Sequence, residues 1–275
     1  MIFQKMNIWE DSSCDMRTEA TLEVYVPDNS PEIDMERTNQ AVLICPGGGY
    51  QGVSDREAEP IALALAGEGI CAFVLRYSVA PNRYPTQLLE ASRAMQLIRQ
   101  NAEAWHVDTD DIAVMGFSAG GHLAAHLATK WNDPMLCERL NMQPGMNKPN
   151  RVILGYAVTT SHIPGVHQIT FYNLFGDDAG DEVFATASTV ELVGEHTPKA
   201  FIWHTASDGI VPVEHSLLFA GALQKHHIPF ELHIYPEGNH GLSLSDRRSS
   251  GGHDDLIQPH PAQWFGACVR WLKEC

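Results

Sequence analysis

Scored as apolar and polar positions, the chain alternates short apolar runs rich in β-branched residues with longer stretches of helical period. The runs are TLEVYVP (21–27), QAVLICP (40–46), CAFVLRYSV (71–79), DIAVMGF (111–117), RVILGYAV (151–158), KAFIWHTA (199–206) and FELHIYP (230–236). Several are apolar almost throughout, as in a strand covered on both faces. Such runs separated by helices predict parallel strands joined by crossover helices, and so a doubly wound sheet.

The helix signals fall between the runs. Ser54-Asp55-Arg56-Glu57 has the spacing of a capping box and leads into a helix from Ala58 to Ala66 that stops at Gly67. Thr86 to Ala104 carries Leu88, Leu89, Met95, Leu97 and Ile98 in an amphipathic pattern. Ala119 to Lys130 is rich in small residues and reads as a buried helix; Leu217 to His226 and Pro261 to Leu272 complete the set. Residues 131–150 and 159–198 break the rhythm and read as surface insertions. The second holds Phe171, Tyr172, Phe175 and Phe184, enough to form a small lid or pocket wall, or else to cover the sheet edge. With no repeat, low-complexity tract or linker, 1–275 reads as a single domain.

Composition narrows the function classes. The chain of 275 residues is 44% hydrophobic and 19% charged, which describes a folded soluble protein. Its formal net charge of -16, from 34 acidic against 18 basic residues, repels phosphate backbones and anionic lipid surfaces and argues against nucleic acid or membrane as partner. The cysteines Cys14, Cys45, Cys71, Cys137, Cys268 and Cys275 lie far apart without metal-ligand spacing, as expected of free thiols in a reducing compartment, with no metal. The start, MIFQKMNIWEDSSCDM, lacks a basic region followed by an apolar run. Nowhere does the chain approach the roughly 18 consecutive apolar residues of a membrane span, so a cytoplasmic, unanchored protein is expected.

Candidate chemistry centres on Gly116-Phe117-Ser118-Ala119-Gly120, a Gly-x-Ser-x-Gly pattern lying between a predicted strand and a predicted helix. A sharp strand-to-helix turn crowds the positions two before and two after its apex, which explains the glycines. Ser118 then projects from the sheet beside the positive end of the following helix, poised as a nucleophile. Cys45-Pro46-Gly47-Gly48-Gly49-Tyr50 also follows a buried run, and its three glycines let backbone amides approach a ligand closely. No Gly-Lys-Ser/Thr follows, which disfavours a phosphate cradle.

PGGGY and GFSAGGH together resemble α/β-hydrolase esterases of the acetyl esterase and hormone-sensitive-lipase-like type, and the acetylxylan-esterase-like subgroup among them. Pro46 stands where many of these enzymes carry histidine, a departure that bears on the loop's hydrogen bonding. The resemblance implies an α/β-hydrolase fold, a mostly parallel sheet of about eight strands flanked by helices. It also implies oxyanion donors at the N–H groups of Gly48, Gly49 and Ala119. A serine nucleophile needs a histidine base and a carboxylate to orient it, in chain order serine, acid, histidine, on loops after strands. Asp208 in HTASDGIVPV and His240 in YPEGNHGL meet that order and placement, and both loops are similar to the family's acid and histidine loops. Asp177, Asp178, His226, His227, His253 and His260 are weaker rivals, in the insertion, predicted helices or a polar tail.

The expected function is that of a serine carboxylester hydrolase without cofactor. By resemblance it removes a short acyl group, acetate foremost, from a sugar or other small alcohol such as an acetylated oligosaccharide. Tyr50, Gln51 and Pro81 are candidates for the substrate pocket; His122, four residues past Ser118, reads as structural. A serine peptidase of the same fold would share the catalytic residues, and a ligand-binding protein on this scaffold is a further alternative. Homo-oligomerisation stays open.

Overall fold

In a computed structural model of the chain, which describes all residues except 11, 13, 15 and 275, each of the seven apolar runs coincides with a strand, β3 starting one residue and β5 four residues before its run. These are β2 (Thr21–Val26), β3 (Asn39–Cys45), β4 (Cys71–Arg76), β5 (Val107–Phe117), β6 (Arg151–Gly155), β7 (Lys199–Thr205) and β8 (Phe230–Tyr235). An eighth, β1 (Ile2–Asn7), was not marked by the apolar pattern. It is an edge strand whose central residues are exposed, so burial never selected an apolar run there.

The strands form one sheet in the order β1-β2-β4-β3-β5-β6-β7-β8. β1 and β2 run antiparallel to their neighbours, and the pairs from β4 to β8 are parallel. Alternate side chains point to opposite faces. Leu43, Phe73, Val114, Leu154 and Ile202 meet α2 (Thr86–Gln100), α3 (Ser118–Lys130) and α8 (Glu214–Lys225), the numbering running in chain order with α1 (Glu59–Gly67) before them. On the other face, Val42, Ile44, Val74, Met115, Ile153 and Trp203 pack with α1 and with α9 (Gln263–Glu274).

Several predicted bounds move. The Ser54 side chain caps nothing; residues 55–57 form a short 3-10 turn and the helix starts at Glu59, with Glu57 turned into the core instead. α2 ends at Gln100 rather than 104, because residues 101–106 turn back to feed β5 and His106 takes a left-handed φ of 52°. The two insertions are not structureless: the first forms α4 (Pro134–Leu140), and the second forms α5 (Ile169–Phe175), α6 (Asp181–Ala185) and α7 (Thr189–Leu192). They are too short for a clear 3.6 period.

Cys14, Cys45, Cys71, Cys137 and Cys268 are free thiols, and the expected thiol of Cys275 lies outside the described residues. Burial pushes the Cys45 and Cys268 thiols up, which keeps them protonated and unreactive. Among the described residues no helix is long and apolar enough to cross a membrane.

Candidate active site

The sheet order places the chemistry. β3 connects to β4 on one side while β5 lies on its other side, so the carboxyl ends of β3 and β5 open a crevice where the winding reverses. Cys45 pairs in register with Gly116, which sets the glycine-rich loop after β3 directly beside the Ser118 turn after β5. Ser118 holds a left-handed φ of 52°, a strained conformation for a residue with a side chain, and begins α3. The flanking glycines are required by contact. A Cβ at Gly116 would lie 2.1 Å from the Gly120 carbonyl oxygen, and one at Gly120 would lie 2.1 Å from that of Cys45.

Three side chains from three strand ends meet here. His240 Nε2 lies 2.8 Å from Ser118 Oγ, and His240 Nδ1 lies 2.7 Å from Asp208 Oδ2. The carboxylate can only accept, so Nδ1 carries the proton and Nε2 is left to accept from the serine hydroxyl. Asp208 is buried, and its Oδ1 accepts the N–H groups of Ile210 and Val211, both at 2.9 Å. A second histidine flanks it: His204, wholly buried on β7, donates through Nε2 to the Val211 carbonyl at 2.9 Å and stands 3.4 Å from Asp208 Oδ2. Burial works to raise the Asp208 pKa, but hydrogen bonds from His204, His240 and Ile210 outweigh it. They hold the carboxyl well below the usual carboxylate range. An ionised carboxylate is therefore fixed against His240 at neutral pH.

The glycine-rich loop is held by side chains from elsewhere in the chain. Tyr77 donates its hydroxyl to the Pro46 carbonyl at 2.5 Å, and Asn173 of α5 donates Nδ2 to the Gly49 carbonyl at 2.8 Å. Gly48 sits at φ 130°, where an added Cβ would lie 2.2 Å from the Gly52 carbonyl oxygen. Among the described residues, the N–H groups of Gly48 and Gly49 donate to no protein acceptor. The Ala119 N–H lies in the first turn of α3, where no intrahelical acceptor exists. The structure thus brings these two segments to one crevice with donors to spare.

A cavity of about 350 Å³ opens over Ser118 and His240. Ser54, Arg56, Glu57 and Gly241 give it a polar wall, while Ile169, Ile210 and Val211 give it an apolar one. None of Tyr50, Gln51 and Pro81 lines it. Tyr50 is buried, because its left-handed backbone turns the ring inward to place its hydroxyl 2.9 Å from His122 Nδ1; Gln51 and Pro81 face solvent. His122 bonds across the core as its position implied, reaching the Ala187 carbonyl through Nε2 at 2.8 Å, and burial lowers its pKa to about 4.

The 159–198 insertion is a wall of this cavity, supplying His167, Ile169 and Thr170. Its root is pinned to α8, where Thr159 N–H donates to His215 Nδ1 at 3.0 Å and the His167 and His215 rings meet edge to face at 4.4 Å. Burial, with the neighbouring His167, His204 and His122 imidazoles, lowers the His215 pKa to about 3. The sequence pattern assigned no place in the site to Tyr156, His167, Asn173 or His204, and gave Glu57 a helix cap instead. Only His204 carried a local signal, as a polar residue at the apolar end of β7 four positions before Asp208. Among the described residues no group of three or more His, Cys, Asp or Glu side chains is arranged to hold a metal ion.

Strand order, turn and crevice define the α/β-hydrolase fold. Within it, the chain belongs to the BD-FAE family, whose profile matches residues 22–223. It is similar to endo-1,4-beta-xylanase B of Butyrivibrio fibrisolvens, 34% identical over 233 residues that make up 81% of this chain and 36% of that protein. It is 27% identical to an acetylxylan esterase of Xylanibacter ruminicola over 87% of this chain and 46% of the other. The chain thus spans less than half the length of these two relatives. Among solved structures, an acetyl ester-xyloside bifunctional hydrolase from Caldicellulosiruptor lactoaceticus superposes with a TM-score of 0.81 at 34% identity, covering 98% of this chain and 95% of that one.

Proposed function

We propose that the protein is a serine carboxylester hydrolase that removes short acyl groups, acetyl foremost, from a sugar or other small alcohol. The observation that carries this is the continuous hydrogen-bonded row Ser118–His240–Asp208, at 2.8 and 2.7 Å. Ser118 Oγ attacks the ester carbonyl carbon while His240 Nε2 takes the hydroxyl proton, and Asp208 stabilises the resulting imidazolium. The carbonyl oxygen, now negative, receives the N–H groups of Gly48, Gly49 and Ala119. Collapse breaks the bond to the alcohol, which leaves with the proton from His240. Water, deprotonated by the same histidine, then attacks the acyl-serine; the bond to Ser118 Oγ breaks, His240 returns the proton to that oxygen, and the acid is freed.

The acetyl and sugar parts of the reading are supported by the acetylxylan esterase and the acetyl ester-xyloside hydrolase among the similar proteins. The small cavity, with one polar and one apolar wall, suits a short acyl group on a hydroxylated alcohol. The test is a panel of 4-nitrophenyl esters of increasing acyl length together with acetylated xylo-oligosaccharides and matched amides. Highest kcat/KM on acetyl esters, acetate release from the oligosaccharides and no amide cleavage are expected. A preference for amides would replace the esterase reading with a peptidase one.

A further inference from the structure

At Glu57 the role suggested by the sequence and the role in the structure part completely. Its Ser-x-x-Glu spacing suits a helix cap, yet its carboxylate is buried, 3% exposed, and makes no ion pair among the described residues. Burying a carboxylate without a cation is costly unless its oxygens are hydrogen-bonded. Here each oxygen has one short bond: Oε2 accepts the Gly47 N–H at 2.7 Å, and Oε1 accepts the Tyr156 hydroxyl at 2.6 Å.

Tyr156 extends the link. Its hydroxyl accepts the Ser243 N–H at 2.9 Å, and its ring packs edge-on against the His240 ring at 5.1 Å. Its backbone is held at a left-handed φ of 37° just past β6, with its N–H on the Trp203 carbonyl at 2.9 Å. Ser243 is itself fastened: its Oγ donates to the Arg56 carbonyl at 2.6 Å, and its own carbonyl accepts Trp264 Nε1 at 2.8 Å. The chain Gly47–Glu57–Tyr156–Ser243 therefore joins the residue before Gly48 to the loop that carries His240.

We infer that Glu57 and Tyr156 are positioning residues that fix the distance between the oxyanion amides and the catalytic histidine. The inference rests on the serine-hydrolase reading above and names a device within that site. Charge appears on the substrate oxygen and on His240 at the same moment, so the spacing between their supports matters most in the transition state. Relaxing it lowers kcat more than it changes KM.

The experiment compares Glu57→Gln, Tyr156→Phe and the double variant with the wild type. The readouts are kcat and KM on 4-nitrophenyl acetate, the rate of Ser118 labelling by a fluorophosphonate, and thermal unfolding. Each single variant is expected to lose roughly ten- to a hundredfold in kcat and in labelling rate at nearly constant KM. The double variant is expected to lose no more than the worse single one, because both cut the same link. Tyr156→Phe removes one oxygen and carries the test alone if Glu57→Gln does not fold. Folded variants with wild-type kcat, or with raised KM and unchanged kcat, or with losses that multiply, overturn the inference and leave the hydrolase reading standing. A wild type that neither turns over the ester nor reacts at Ser118 removes both together.

Discussion

The Ser118 turn and the glycine-rich loop face each other across the same crevice, yet they are shaped in opposite ways. The turn is built by its neighbours: a strand, a helix start, and glycines at 116 and 120 whose missing side chains let backbone pass backbone. The loop is built by strangers. Tyr77 holds Pro46, Glu57 holds Gly47, and Asn173, which lies 124 positions away, holds Gly49. On the proposed mechanism, a nucleophile can be aimed by local geometry, whereas amides that wait unpaired for an oxyanion need outside partners to fix the peptide groups around them and leave the Gly48 and Gly49 N–H groups free.

The comparison can be broken at four points, of decreasing expected effect. Ser118→Ala should lower kcat at least about a thousandfold while the thermal unfolding curve stays in place. An active variant would mean another nucleophile. Acid should attack the side held by distant partners next. His122 and His215 refuse protons that the unfolded chain accepts, so stability is complete above the ordinary histidine pKa of about 6.5. It falls as pH drops toward about 4 for His122 and about 3 for His215. The slope approaches about 1.4 kcal/mol per pH unit for each group. Urea midpoints measured from pH 7 to pH 4 check this, and a flat series contradicts it. The low folded-state pKa of Asp208 adds a further loss only below its unfolded value near 3.9.

Gly120→Ala should act through stability alone, since its Cβ meets the Cys45 and Pro46 carbonyls. A cost of about 3 kcal/mol, seen as a lower Tm, is expected, and an unchanged Tm would show that the turn can open. Asn173→Ala should have the smallest effect: about tenfold in kcat with little change in Tm, because it frees one carbonyl of the loop. Equal kcat in this variant would mean that the insertion only walls the cavity.

Much of this was legible in the sequence, for particular reasons. Ser118, Asp208 and His240 each follow an apolar run, and their order along the chain is that of the family's serine, acid and histidine. Their meeting could be expected before any coordinates. The capping-box pattern at 54–57 misled because Glu57 is claimed by Tyr156, which lies 99 positions further on, and not by its own helix. Tyr50 misled for a similar reason: beside a site in sequence, it is turned away from it by a left-handed backbone. β1 escaped notice because its exposed residues leave no burial pattern.

The amino-acid sequence by itself determined the alternation of strands and helices, the glycine-flanked turn and the strand ends from which the chemistry projects. Each of these depends on residues a few positions apart, whose periods and sterics act before any long-range contact forms. Tertiary structure alone decided which buried groups hold the glycine-rich loop, which histidine braces Asp208 and which residues line the cavity. Those partners are chosen by closeness in space, which exists only once the sheet has been ordered and its two faces packed.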